Sequence, residues 1–205
     1  MLCILDHQHI GKPTRQDDEG AAFDVDGDGR VEQSEHEEAL VEQYMSAINN
    51  ELVRQGHHVV WLSSGEYHER HAIAGEWCKL PRWERQRVAY LACHINAGGG
   101  GYGLVGHDHR STLGASLAHD IAASMVSMIP PLSGVRVEAA SPSAWKNVHY
   151  TIRGIYGIQA PIAGVCLEPC FIDSPAHAEL LTPAGLRTIG DAVARGVIDW
   201  FDEEN

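Results

Sequence analysis

The chain has 205 residues and a formal net charge of −13, which is enough length for one domain with a substantial core and the wrong sign for a nucleic-acid or anionic-surface binder. No apolar run approaches bilayer length, and the amino terminus lacks a charged region followed by an apolar core and a cleavage site, so the expectation is synthesis without a Sec signal and no stable membrane association. Five cysteines, Cys3, Cys78, Cys93, Cys166 and Cys170, are odd in number and lack framework spacing, and they read as buried thiols rather than a disulfide scaffold.

In chain order, residues 2–5 form a short apolar run that ends in Asp6, His7, Gln8 and His9, the pattern of a buried strand opening into a site loop. Asp24 to Glu35 then spells an EF-hand calcium loop. Asp24, Asp26 and Asp28 stand at loop positions 1, 3 and 5, Gly29 makes the sharp turn, Arg30 offers a backbone carbonyl, Glu32 stands at 9 and Glu35 closes at 12. A hard, oxygen-seeking Ca²⁺ requires that order, whereas a plain acidic turn does not. Leu40, Tyr44, Ile48 and Leu52 repeat every four residues, which predicts a helix over about 35–55 stopped by Gly56. Residues 58–62 and 87–93 read as strands with polar ends, and 97–103, with Gly98 to Gly101 consecutive, as a flexible loop rimming a groove. No Lys-Ser or Lys-Thr follows those glycines, so they are not a phosphate cradle. His107 and His109 read as surface groups.

A helix is predicted over 111–128, halted by Pro130 and Pro131, then a short strand over 135–137 and an irregular stretch from 139 to 157 with loops and a short helix. A buried strand over 162–167 meets charge at Glu168, and an amphipathic helix over 183–201 closes the chain. Alternating strands and helices imply a single α/β domain over 1–205, with a mostly parallel or mixed sheet covered by helices on both faces. His9, His94 and Glu168 all follow strands, and in open α/β sheets the functional crevice lies outside the strands' carboxyl ends. Two imidazoles and a carboxylate from the start of the first helix would supply the three protein ligands of a catalytic zinc site.

Those residues resemble the zinc-dependent N-acetylmuramoyl-L-alanine amidases of the Amidase_3 family, along nearly the whole chain. Leu5-Asp6-His7-Gln8-His9-Ile10-Gly11 resembles the family's Asp-Pro-Gly-His-Gly-Gly, and Cys93-His94-Ile95-Asn96-Ala97 its Ile-His-Ala-Asn-Ala. The stretch from Leu167 to Pro175, followed by Glu179-Leu180-Leu181, is similar to its Val-Glu-Cys-Gly-Phe-Ile-Ser-Asn-Pro block, the most specific of the three. The resemblance implies zinc on His9, Glu37 and His94 and a catalytic acid/base in Glu168. Glu37 rests on the family's spacing back from Gly56; Glu38 is its rival and His7 is the rival of His9, because His7 and Gln8 stand where the family has glycines. The Arg-rich helix before the His-Ala-Asn strand looks shortened or rewritten around Trp77 to Arg87.

The implied activity is hydrolysis of peptidoglycan between N-acetylmuramic acid and L-alanine. The implied setting is a phage endolysin made in the host cytoplasm and released through a holin, or a bacterial or prophage lysis enzyme, with a monomer favoured. Calcium would be structural or regulatory: Glu35 closes its loop two residues before Glu37, so ion binding would order the helix that carries Glu37. The other readings are a calcium-dependent binding module without catalysis, and a zinc peptidase acting within the stem peptide.

Overall fold

The computed structural model describes residues 1–14, 18–132 and 134–203. Six strands form one mixed sheet: β1 (Leu2–His7), β2 (His58–Leu62), β3 (Val88–Cys93), β4 (Gly103–Asp108), β5 (Val135–Ala140) and β6 (Ile162–Glu168), in the order β2-β1-β3-β6-β4-β5. All neighbours pair in parallel except β4 and β6, so β4 and β5 run opposite to the other four. Alternate residues of β1, β3 and β6 face opposite sides, and both sides are buried. Cys3, Leu5, Ala89, Leu91, Val165 and Leu167 pack under α1 (Glu37–Arg54), α3 (Thr112–Met128) and α5 (Pro183–Asp202). Leu2, Ile4, Val88, Tyr90 and Cys166 pack under α2 (Tyr67–Lys79) and α4 (Lys146–Tyr156). Burial on two faces is why these strands read as continuous apolar runs rather than alternating ones. The fold is the α/β class expected, and no helix among the described residues is long and apolar enough to cross a membrane.

Helix α5 is held close to its neighbours by glycine. A Cβ at Gly190 would lie 2.4 Å from the Ala47 side chain and 2.5 Å from the Tyr44 carbonyl of α1, and one at Gly196 would lie 2.5 Å from the Ile121 Cα of α3. Helix α1 is thereby pinned between the sheet and α5, which fixes the helix that begins at Glu37.

The structure departs from the sequence reading in several places. The helix that precedes β3, α2, lies earlier than Trp77 to Arg87, which holds only its last turn; it hides because two of its buried residues, Arg70 and His71, are polar. Strand β4 was not anticipated, since Gly103 and Gly106 blur its pattern, and its His107 is buried rather than at the surface. Strand β5 runs on to Ala140, past the expected 135–137, and the short helix expected within 139–157 is α4. The glycine loop is anchored: the Gly98 and Gly99 N–H groups both donate to the Asp173 carboxylate, at 2.8 and 2.9 Å. All five thiols are buried and unpaired, and burial pushes Cys78 up to about 11 and Cys170 up to about 12, so neither is a nucleophile at neutral pH.

Candidate metal centre and cleft

His9 leaves the loop after β1, His94 follows β3, and Glu37 is the first residue of α1. The pairing of β1 with β3 in register, His7 against Cys93, brings the first two strand ends together. Tyr44, one face of α1 further on, donates its hydroxyl to the His94 carbonyl at 3.0 Å and ties that loop to the helix. The result is a near-equilateral triangle of ligand atoms. His9 Nε2 lies 3.0 Å from His94 Nδ1 and 3.0 Å from Glu37 Oε1, and His94 Nδ1 lies 3.1 Å from the same oxygen. Glu37 Oε1 also accepts the Ile95 N–H at 2.9 Å, and a cation set among the three atoms would be held by two imidazole nitrogens and a carboxylate oxygen. The sides are close to the roughly 3.3 Å edge of a tetrahedron with zinc–ligand bonds of about 2.0 Å.

The surroundings fit such an ion. His9 turns its other ring nitrogen, Nδ1, to Asp18 Oδ1 at 3.0 Å, and Lys12 holds the second Asp18 oxygen at 2.9 Å. A carboxylate behind a ligating imidazole fixes its tautomer and ring orientation. Burial opposes the charge of Glu37, but the bonds and charges of His9 and His94 outweigh it and hold the carboxyl far below the usual carboxylate range. Glu37 therefore presents an anion. His7, the alternative imidazole, is buried away from this triangle, and Glu38 is only half-buried and outside it.

Beneath the loop carrying His9 lies a buried polar knot that sequence reasoning missed. Asp6 and Arg70 are fully buried and pair at 2.5 Å. Gln8 and the Tyr90 hydroxyl also bond Asp6, and Arg70 reaches the carbonyls of His7, Ile10 and Gly65, the last at 2.7 Å. One guanidinium thus grips the backbone on both sides of His9. The available signal was an Arg four residues after Glu66 in a stretch with no obvious solvent face.

Glu168 ends β6. Leu167 pairs with Cys93, and the His94 N–H donates to the Leu167 carbonyl at 2.9 Å, so Glu168 stands beside the triangle. Burial raises its pKa; Glu37 adds to that rise, while His94 and His9 oppose it. Triangle and carboxyl line one open cleft of about 580 Å³, walled by Lys12 and Tyr67 on one side and by Asn147, Tyr150 and Thr151 of α4 on the other. The cleft runs on past Tyr67 and Tyr150 into a second depression of about 610 Å³ that reaches Arg153.

The acidic loop is gathered in two groups, Asp24 with Asp26 and Glu35, and Asp26 with Asp28 and Glu32. Glu35 turns both carboxylate oxygens into the loop, accepting from the N–H groups of Val25, Asp26 and Glu32 at 2.7 to 3.0 Å. Asp28 accepts from the Arg30 N–H at 2.9 Å. The flanks of the loop meet: Ala22 and His36 form an antiparallel bridge, Glu37 donates its N–H to the Ala21 carbonyl at 2.7 Å, and the Ala21 N–H donates to Glu37 Oε2 at 3.0 Å.

No protein-family model matches the chain, and no curated protein sequence matches it. Solved structures do. AmiC2, an N-acetylmuramoyl-L-alanine amidase of Nostoc punctiforme, superposes with a TM-score of 0.69 at 16% identity over 98% of this chain and 97% of its own. Ami1, the N-acetylmuramyl-L-alanine amidase of Mycobacterium smegmatis, gives 0.68 at 17% over 99% and 97%. The catalytic domain of the CD27L endolysin targeting Clostridia difficile gives 0.58 at 14% over 97% and 96%. The chain has the fold of amidase catalytic domains.

Proposed function

We propose that this chain is a zinc-dependent peptidoglycan amidase that hydrolyses the bond between N-acetylmuramic acid and the L-alanine of the stem peptide. One observation carries the reading: His9, Glu37 and His94 converge on a point beside a half-buried carboxyl, Glu168, in an open cleft of a fold shared with amidases. His9, Glu37 and His94 would hold the ion. When bound there, zinc supplies a Lewis acid that polarises the scissile carbonyl and makes water a better nucleophile.

The chain's own groups do the rest. Glu168, with its pKa raised by burial, accepts a proton from the attacking water and returns it to the leaving alanine nitrogen. Asp18 and Lys12 hold His9 in one orientation, and Arg70 holds the loop beneath it. Tyr67 and Tyr150 offer flat, half-polar walls against which sugar or peptide can lie. The loop from Asp24 to Glu35 is proposed to bind Ca²⁺ through Asp24, Asp26, Asp28, the Arg30 carbonyl, Glu32 and Glu35, and to tighten the Ala21 and Ala22 clamp on Glu37 when filled. The proposal extends to host lysis, since the fold occurs in the catalytic domain of an endolysin; a phage-type enzyme would act on the wall after release from the cytoplasm.

The deciding experiment joins metal content to product analysis. Protein purified without chelator should lose activity on zinc stripping, regain it with zinc, and release a new amino-terminal L-alanine from purified peptidoglycan. A different new amino terminus would make it a peptidase of the stem peptide, and turnover indifferent to zinc would remove the reading altogether.

A further inference from the structure

A second imidazole and carboxylate cluster stands toward the other end of the sheet. Because β4 runs antiparallel to β6, with Leu104 opposite Glu168, its last residue, Asp108, lies four positions away, roughly 13 Å down the strand. There the buried Asp108 meets His149 of α4 and the half-exposed His109, and one potential ligand atom from each lies within 4.8 Å of the others. His149 Nδ1 is 3.6 Å from Asp108 Oδ2, and His109 Nδ1, which donates to the Ala140 carbonyl at 3.1 Å and would exchange that bond for an ion, is 3.6 Å from Asp108 Oδ1. Both separations from Asp108 are too long for hydrogen bonds. They suit two ligands of one ion, whose donor atoms stand about 3.4 Å apart in a tetrahedral shell.

A separate observation points the same way. His149 is 6% exposed, and its Nδ1 is buried with no hydrogen-bond partner. Buried ring nitrogens normally find one. This one faces a carboxylate oxygen that has room for another bond: of the three hydrogen bonds from Arg110 to Asp108, two fall on Oδ1 and one on Oδ2.

We propose that Asp108, His109 and His149 form a second metal site for a divalent cation of the zinc and nickel class, which imidazole nitrogen favours over calcium or magnesium. The ion would tie the end of β4 to α4, the helix whose Asn147, Tyr150 and Thr151 wall the cleft. Arg110 shares Asp108 with the ion, and its fixed positive charge weakens the binding. The site stands apart from the proposed amidase centre and does not depend on it.

The test is zinc stoichiometry by equilibrium dialysis with excess Ca²⁺ present, so that the acidic loop does not take zinc, together with the melting temperature. The expected result is two zinc ions per wild-type chain and one in His94→Ala, whose remaining ion reports the second site alone. In that background His109→Ala, a change at a half-exposed position, should weaken zinc at least tenfold and abolish the zinc-induced rise in melting temperature. Arg110→Gln should tighten zinc several-fold, an effect opposite in sign to general damage. Co²⁺ in place of zinc should show visible bands that vanish with His109→Ala. A His94→Ala chain that stays folded by circular dichroism and binds no zinc overturns the proposal, as does zinc binding in that chain that His109→Ala leaves unchanged. Loss of the His94-dependent ion alone would instead strike the amidase centre and leave this site standing.

Discussion

Replacing Arg70 with Met tests how the His9 loop is held. The side chain is fully buried, and its removal leaves the Asp6 charge without its cation, held only by Gln8 and Tyr90, and strands three backbone carbonyls, those of His7, Ile10 and Gly65. Breaking one side of a buried ion pair costs about 3–5 kcal/mol. Each stranded acceptor adds about 1 kcal/mol before the loop relaxes, and the contributions overlap because the groups form one network. A loss of about 5 kcal/mol is expected, read in urea denaturation, with a fall in melting temperature of roughly 10–20 °C for a chain of this size. Adding Asp6→Asn to that variant removes the uncompensated charge and should restore roughly 0.5–3 kcal/mol. Arg70→Lys keeps the charge but loses the fork that grips both sides of His9, so the fold should survive while zinc affinity, measured by chelator competition, drops about 10- to 100-fold. An Arg70→Met chain within about 1 kcal/mol of wild type would show that the knot contributes little and that the loop is held some other way.

Glu168→Gln should retain zinc and lose about 10²–10⁴-fold in turnover of purified peptidoglycan, since the isostere cannot accept a proton; activity within tenfold of wild type would reassign the base. Asp18→Asn keeps the shape behind His9 but not the charge, and zinc affinity should fall about 10- to 100-fold with the fold intact by circular dichroism. His177 is buried and accepts the Phe171 N–H on Nδ1 at 2.9 Å, and burial lowers its pKa. The unfolded chain therefore binds the proton more readily than the folded one, so this histidine's contribution is intact above about pH 6.5 and is lost as pH falls below it; His177→Gln should flatten that part of the stability profile. Calcium removal by EGTA at concentrations that spare zinc should lower both melting temperature and activity, and no change in either would uncouple the loop from Glu37.

Much of the fold was legible because its signals are local, and His9 and His94 were found at strand ends, whereas Glu37 was reached only through the family's spacing. Buried strands leave apolar runs, and β1, β3 and β6 each end where a polar residue begins. The four-residue repeat of α1 set the helix that starts at Glu37. What stayed hidden was held by contacts distant in sequence. Asp18 looks like any acid in a polar stretch until His9 is seen beside it. Arg70 lies 64 residues from Asp6, and no pattern within α2 marks it as buried. His107 and His149 were obscured for the same reason: glycines interrupt β4, and α4 follows a stretch whose turns leave no periodicity.

The bridge between Ala22 and His36 has a consequence for how such a chain can change. Everything from Phe23 to Glu35 leaves and returns through two adjacent residues, so the acidic loop is a closed excursion that borrows no strand or helix from the body of the domain. A segment with touching ends can be exchanged for another loop with little strain at its ends, provided the replacement covers the patch of core on which Val25 packs. Because those receiving residues also grip Glu37, whatever is spliced there speaks directly to the cleft. The position is a natural port for placing the chemistry of the cleft under the control of a chosen ligand.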